Sequence, residues 1–185
     1  MAGVRLRDIA EHAGLTPGAV LYYYDGGLDE LFIAAYERGI HRFCEEREEA
    51  IASLDGPIAK LATALRLGVP TGPDDTETRM LYEFEAVAFR SADCAQMMAD
   101  YVERQTDMYE AILSDGVERG EFDIAGKLRA AARVIVAMED GHGPYVLTGQ
   151  VTPAQAERLF LEHGAALTGV PLRRLSASGR RLRAR

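Results

Sequence analysis

Apolar residues recur along this chain at the three-to-four-residue spacing of amphipathic helices, and no stretch alternates as a half-buried strand does. Leu6, Ile9, Ala10 and Ala13 share one face of a short helix over 5–13. Gly14 follows, the residue type that most readily closes a helix in a left-handed conformation. Thr16-Pro17 then reads as an N-cap with proline at the first helical position, opening a second short helix that runs to about Tyr23. Asp25-Gly26-Gly27 is a turn. Leu28, Leu31, Phe32, Ala35, Tyr36, Gly39, Ile40 and Phe43 predict a long helix over 28–53, broken by Asp55-Gly56-Pro57.

Further helices are predicted over 58–67, 77–90, 92–119, 124–147 and 154–168. Gly68 and Pro70, a polar loop over 71–75, Gly120 and a second cap-proline pair, Thr152-Pro153, separate them. Gly141, Gly143 and Pro144 are expected to loosen the 124–147 helix. The expectation is an all-α fold of about eight helices.

Composition narrows the class. Hydrophobic residues make up 48% of the 185, enough for a sizeable core. Cys44 and Cys94 have no metal-type or CxxC spacing, and no leader pattern precedes the first helix, so reduced thiols and a cytoplasmic location are expected. No apolar run approaches the roughly 20 residues of a membrane span, so no membrane partner is expected. The net charge of −8 argues against generic nucleic-acid binding, but it is unevenly spread: six Arg and no acid lie between Arg173 and Arg185. Residues 1–42 carry four Arg against six acids, so charge alone does not identify a DNA-reading head.

The local motif does more. Two short helices joined by a tight glycine turn have the geometry of a helix-turn-helix, whose second helix enters the major groove. Thr16, Pro17, Gly18 and Ala19 form a run of small residues at the start of that helix, where the backbone can approach phosphates. Tyr22 and Tyr23 offer hydroxyls and flat faces to sugar, phosphate or a thymine methyl. The bland alternative is an ordinary helical hairpin. The order of residues decides further: 5-RLRDIAEHAGLTPGAVLYYY-24 followed by 28-LDELF-32 resembles the N-terminal signature of the TetR family of transcription regulators. The likeness is close over residues 4–40. Beyond them only helix order and length agree, with a faint similarity to choline-response repressors of the family around 137–149.

The resemblance implies an all-α homodimer, a variable ligand pocket, and release from a palindromic operator on double-stranded DNA by a small-molecule effector. It places Ile9, Ala10, Ala13, Leu15 and Val20 in the head's core. Thr16, Gly18, Ala19, Tyr22 and Tyr23 fall at DNA-facing positions, and Tyr24 at the aromatic that packs the head on the long helix. Three departures stand out. Leu21 replaces a usual Tyr, Gly27 a usual phosphate-contacting Lys, and only residues 1–4 precede a motif that a whole helix usually precedes. The expectation is that the true start lies upstream; the alternative is a ligand-binding dimer with a truncated head that no longer reads DNA.

The expected organisation is a head over 1–45, a ligand-binding and dimerisation domain over 46–171, and a basic, disordered tail over 172–185. Candidate pocket residues are the soft and polar side chains set among apolar ones. Met80, Phe84 and Glu85, with Tyr82 beside them, lie on one helix, and Met98 and Tyr101 on the next. Met138, Glu139 and His142 lie on the penultimate helix, with Asp140 as a further polar anchor. Carboxylates suit a cationic or amine ligand, although each can equally be solvated or paired with an Arg such as Arg133, and the Met and aromatic residues can be plain core. The four histidines lack metal-ligand spacing, and no catalytic constellation or cofactor motif is legible, so neither metal, cofactor nor enzymatic activity is expected. The last two helices are apolar over more than one face. Ala132, Val136 and Tyr145 are expected to face a partner copy, while Leu128, Ala131, Ile135 and Met138 face inward.

Overall fold

The computed structural model describes residues 5–89 and 91–179. Among them are nine α-helices and no strand: α1 Leu6–His12, α2 Pro17–Tyr23, α3 Leu28–Ala52, α4 Pro57–Leu67, α5 Thr76–Ala88, α6 Ala92–Glu118, α7 Leu128–Leu147, α8 Pro153–Thr168 and α9 Leu172–Ala177. Local chemistry sets most boundaries. Thr16 Oγ1 accepts the Ala19 N–H at 3.1 Å, Asp75 Oδ1 the Thr78 N–H at 3.0 Å, and Thr152 Oγ1 the Gln155 N–H at 3.2 Å. Gly14, at φ 69, turns the chain between α1 and α2.

The main core is built around α4. Leu61 and Leu65 are fully buried against Tyr109 and Leu113 of α6, Ile135 of α7 and Phe160 of α8. A second cluster lies between α3, α5 and the start of α6, where the Tyr36 ring stacks on Phe84 with centroids 3.4 Å apart. α1 and α2 pack on each other and bury only Ala10 and Val20.

Three expectations need correction. The helix expected from 124 starts at Leu128, because Gly126 takes φ 97 and the Asp123 N–H bonds to the Thr168 carbonyl 2.9 Å away. α7 then continues through Gly141, Gly143 and Pro144. The tail is not irregular at its start. α9 forms because Leu175 drops fully buried into the core, while the nearly buried Arg66 donates from Nη2 to the Ser176 carbonyl (2.8 Å) and from Nη1 to that of Ser178 (2.6 Å). Residues 1–4, which precede the motif, and 180–185, which hold most of the basic tail, lie outside the described residues. α3 runs unbroken past residue 45, where the boundary between head and body is expected. Finally, Ala132 and Val136 face the core, and the exposed line on α7 is Ala130, Val134, Ala137, Gly141 and Tyr145.

Candidate functional site

The head presents its second helix to solvent. Thr16, Pro17 and Gly18 are exposed and Ala19 half-buried, while Tyr22 and Tyr23 are 82% and 74% exposed and meet edge to face. Nothing lies within 4 Å of where a Gly18 Cβ would stand, so a backbone-width ligand can approach this end of α2. Ala13 and Leu15, expected in the head's core, are exposed, and so is Leu21. Ala10 and Val20 are the buried residues of α1 and α2, with Leu6, Ile9 and Ala19 half-buried. Tyr24 is half-buried.

The body encloses a cavity of about 190 Å³ walled by α3, α5, α6 and α7. Glu85, Met98, Tyr101 and Glu139 meet there, as does Asp140. Four other candidates do not line it. Phe84 is core, stacked on Tyr36. Met80 borders a neighbouring outer groove and presses on Gly39. Met138 packs on the main core, and His142 holds its Nδ1 2.9 Å from the Met138 carbonyl with its ring edge-on to Phe160. The sequence had pointed to Tyr82, but not to Tyr36 and Phe43 of α3, which complete the aromatic wall. Two glycines shape that wall. A Cβ at Gly68 would overlap the Glu139 carboxylate, and one at Gly143 would overlap the Tyr82 hydroxyl.

Behind the wall sits a buried charge network. Arg47 of α3 is 2% exposed. Its Nη2 donates to Glu139 Oε1 at 2.7 Å, to the Tyr109 hydroxyl at 2.6 Å and to the Ala64 carbonyl at 2.7 Å, and its Nη1 donates to Gln105. Tyr109 in turn donates to Glu139. Burial works against the guanidinium, but Glu139, Tyr109 and Tyr101 together outweigh it and hold Arg47 protonated. The expected partner Arg133 instead pairs with Glu103 at the surface. One residue of α3 thus ties α4, α6 and α7 together through both Nη atoms, while its buried Nε finds no partner among the described residues.

Glu85 and Asp140 are left differently. Neither has a hydrogen bond or ion pair among the described residues. Burial pushes the Glu85 carboxyl up, and it pushes Asp140 up to about 6, with repulsion from Glu139 and Glu85 adding to it. The outer groove, about 820 Å³, shares Phe43, Thr78 and Leu81 with the cavity. Its rim carries Glu46, Glu49, Asp74, Asp75 and Glu77 against Arg42, which bridges to Glu77 at 2.5 Å. No cluster of metal-ligand type and no helix long and apolar enough to cross a membrane occurs among the described residues.

The family described as BetI-type transcriptional repressor, C-terminal, matches residues 57–169. An uncharacterized HTH-type transcriptional regulator, YfiR of Bacillus subtilis, is 23% identical over 142 residues, covering 74% of this chain and 66% of that protein. A TetR transcription regulator from Haloarcula marismortui superposes with a TM-score of 0.79 at 21% identity, over 91% of this chain and 89% of that one. The regulator FadR of Bacillus subtilis, solved with stearoyl-CoA, superposes at 0.69 and 19% identity over 91% and 89%.

Proposed function

Since the chain belongs to the TetR family of transcriptional regulators, we propose that it is a ligand-released repressor, binding a palindromic operator as a homodimer and sensing its effector in the cavity between α3, α5, α6 and α7. Fold and family are those of regulators rather than enzymes, and no comparison favours a head that no longer reads DNA.

One observation carries the reading. α3 is a single helix that leaves the head directly and supplies Tyr36 and Phe43 to the cavity wall and Arg47 to the network behind it. A ligand that displaces these side chains shifts the helix on which the head is mounted, and so changes the spacing of two heads in a dimer. The uncharged line Ala130, Val134, Ala137, Gly141 and Tyr145 on α7 gives a second copy an exposed apolar face to pack on. Tyr22, Tyr23 and the Thr16–Ala19 segment are the groups offered to DNA. Arg5 and Arg7, at the start of the head, are exposed as well.

Selection of the full chain on random double-stranded DNA tests this. The expected product is a two-fold symmetric site with half-sites about one helical turn apart. Tyr22→Ala is expected to weaken binding to that site about tenfold without changing the melting temperature. If no sequence is enriched over bulk DNA, the repressor reading falls.

A further inference from the structure

The cavity carries more negative charge than the chain itself neutralises. Of its three carboxylates, Glu139 is cancelled by Arg47 and Tyr109. Glu85 and Asp140, from α5 and α7, have no hydrogen bond or ion pair among the described residues, and no Lys or Arg is among the described residues that line the wall, although Arg47 behind it acts on Asp140 from a distance. A further polar group is also unclaimed. Tyr36 is 2% exposed, lines the cavity, and finds no hydrogen-bond partner for its hydroxyl among the described residues. Around these groups stand the rings of Phe43, Tyr82 and Tyr101, whose faces attract cations.

Resting on the reading of this cavity as the effector site, we propose that the effector is a short organic dication of the alkyl diamine class, with one ammonium group on Glu85 and the other on Asp140. Two buried like charges are costly until each meets an opposite charge. A monocation relieves one of them and leaves the other. An anionic ligand finds no cation among the described residues of the wall, and the Arg47 guanidinium stands behind it with both Nη atoms donating to Glu139, Tyr109, Gln105 and the Ala64 carbonyl. Size agrees: about 190 Å³ is roughly the liquid volume of six waters, room for a chain of four or five carbons with an amine at each end. The acidic rim of the outer groove, joined to the cavity at Phe43, Thr78 and Leu81, steers a dication inward.

The test is calorimetric titration of the full chain with 1,5-diaminopentane, n-pentylamine and hexanoate, repeated on Glu85→Gln and Asp140→Asn. The diamine is expected to bind at least about tenfold tighter than the monoamine, the equivalent of one charge-assisted hydrogen bond. Each variant is expected to lower diamine affinity to the monoamine level while keeping the wild-type circular dichroism spectrum. The diamine, and not the other two, is expected to release the selected DNA site. Equal binding of pentylamine, diamine binding unchanged in both variants, or failure of the diamine to bind overturns the proposal. Release of DNA by hexanoate alone overturns the dication but leaves the repressor reading standing. A diamine that binds through Glu85 and Asp140 in a protein that selects no DNA site supports the dication and removes the repressor instead.

Discussion

The head and the body of this chain treat their apolar residues in opposite ways. α1 and α2 bury Ala10 and Val20 and leave Leu15, Leu21, Tyr22 and Tyr23 in solvent, whereas α4 buries eight of its eleven residues. At roughly 25 cal/mol per Å² of apolar surface, the head gains little from its own contacts and depends on being mounted on α3. Regions with few buried contacts open at low free-energy cost, and binding surfaces are drawn from them. The body is the rigid partner, except around the cavity, where charge is buried in two contrasting ways: one acid fully paired, two acids unpaired. Substitutions are therefore expected to divide cleanly. Those in the head change recognition, those behind the cavity change stability, and those on the cavity wall change how stability responds to pH.

The largest effect is expected behind the cavity. Arg47→Ala removes the buried cation and leaves Glu139 with Tyr109 as its remaining donor. Breaking a buried pair from one side costs about 3–5 kcal/mol, and urea unfolding measures it. A loss below about 1 kcal/mol would mean that water enters and solvates Glu139, and that body and head are less different than their burial says. The double replacement Arg47→Met with Glu139→Met is expected to recover much of the loss, since no charge is then stranded.

A smaller effect comes from the wall. The Asp140 carboxyl is pushed up to about 6 by burial, then by Glu139 and Glu85, whereas in the unfolded chain it titrates at the ordinary 3.8. The native state therefore holds this proton more tightly. Its stabilising contribution is complete below about pH 4 and is lost as pH rises through about 6. From this group alone, the ligand-free protein is expected to lose on the order of 1–2 kcal/mol between pH 4 and pH 7, after discounting for partial solvent access. Glu85 shifts in the same direction, so the informative quantity is a difference. Asp140→Asn measured beside the wild type across this range should show a flatter stability profile. Equal slopes would place Asp140 in contact with bulk water.

How much of this was legible beforehand follows the same division. Helix ends were readable because caps and breakers act within a few residues: Thr16, Thr152, Gly14 and Pro57 each mark a boundary by local chemistry. α9 was missed because Leu172 and Leu175 are too short a pattern to show a period, and its stability comes from Arg66, more than a hundred positions away. The head's proposed recognition residues lie in one run and could be read as a motif. Its core could not, since the positions of Ala13 and Leu15 were inferred from a resemblance rather than from contacts in this chain. Glu85, Met98, Tyr101 and Glu139 were found as polar or soft residues among apolar ones. Tyr36 and Phe43 look the same in sequence whether they line a cavity or fill a core. Arg47 gave no signal, because its partner Glu139 lies 92 positions along the chain.

The smallest effect is expected in the head, and it tests the comparison most directly. Thr16 caps α2 through the Ala19 N–H, and Thr16→Ala removes that acceptor at a cost of about 1 kcal/mol. In a protein that unfolded as one unit the cost would appear in full in the global transition. Here α1 and α2 are joined to the rest mainly through the start of α3, so the cost should stay local. Hydrogen exchange of the amides of Ala19 and Val20 is expected to quicken about fivefold, while those of Leu61 and Leu65 in α4 and the midpoint of thermal unfolding stay as in the wild type. The DNA affinity should fall by a similar factor, because an unfolded α2 must reform before it can enter the groove. If α4 exchange quickens by the same factor, head and body form one cooperative unit, and the low burial of α1 and α2 does not make them a separately opening region.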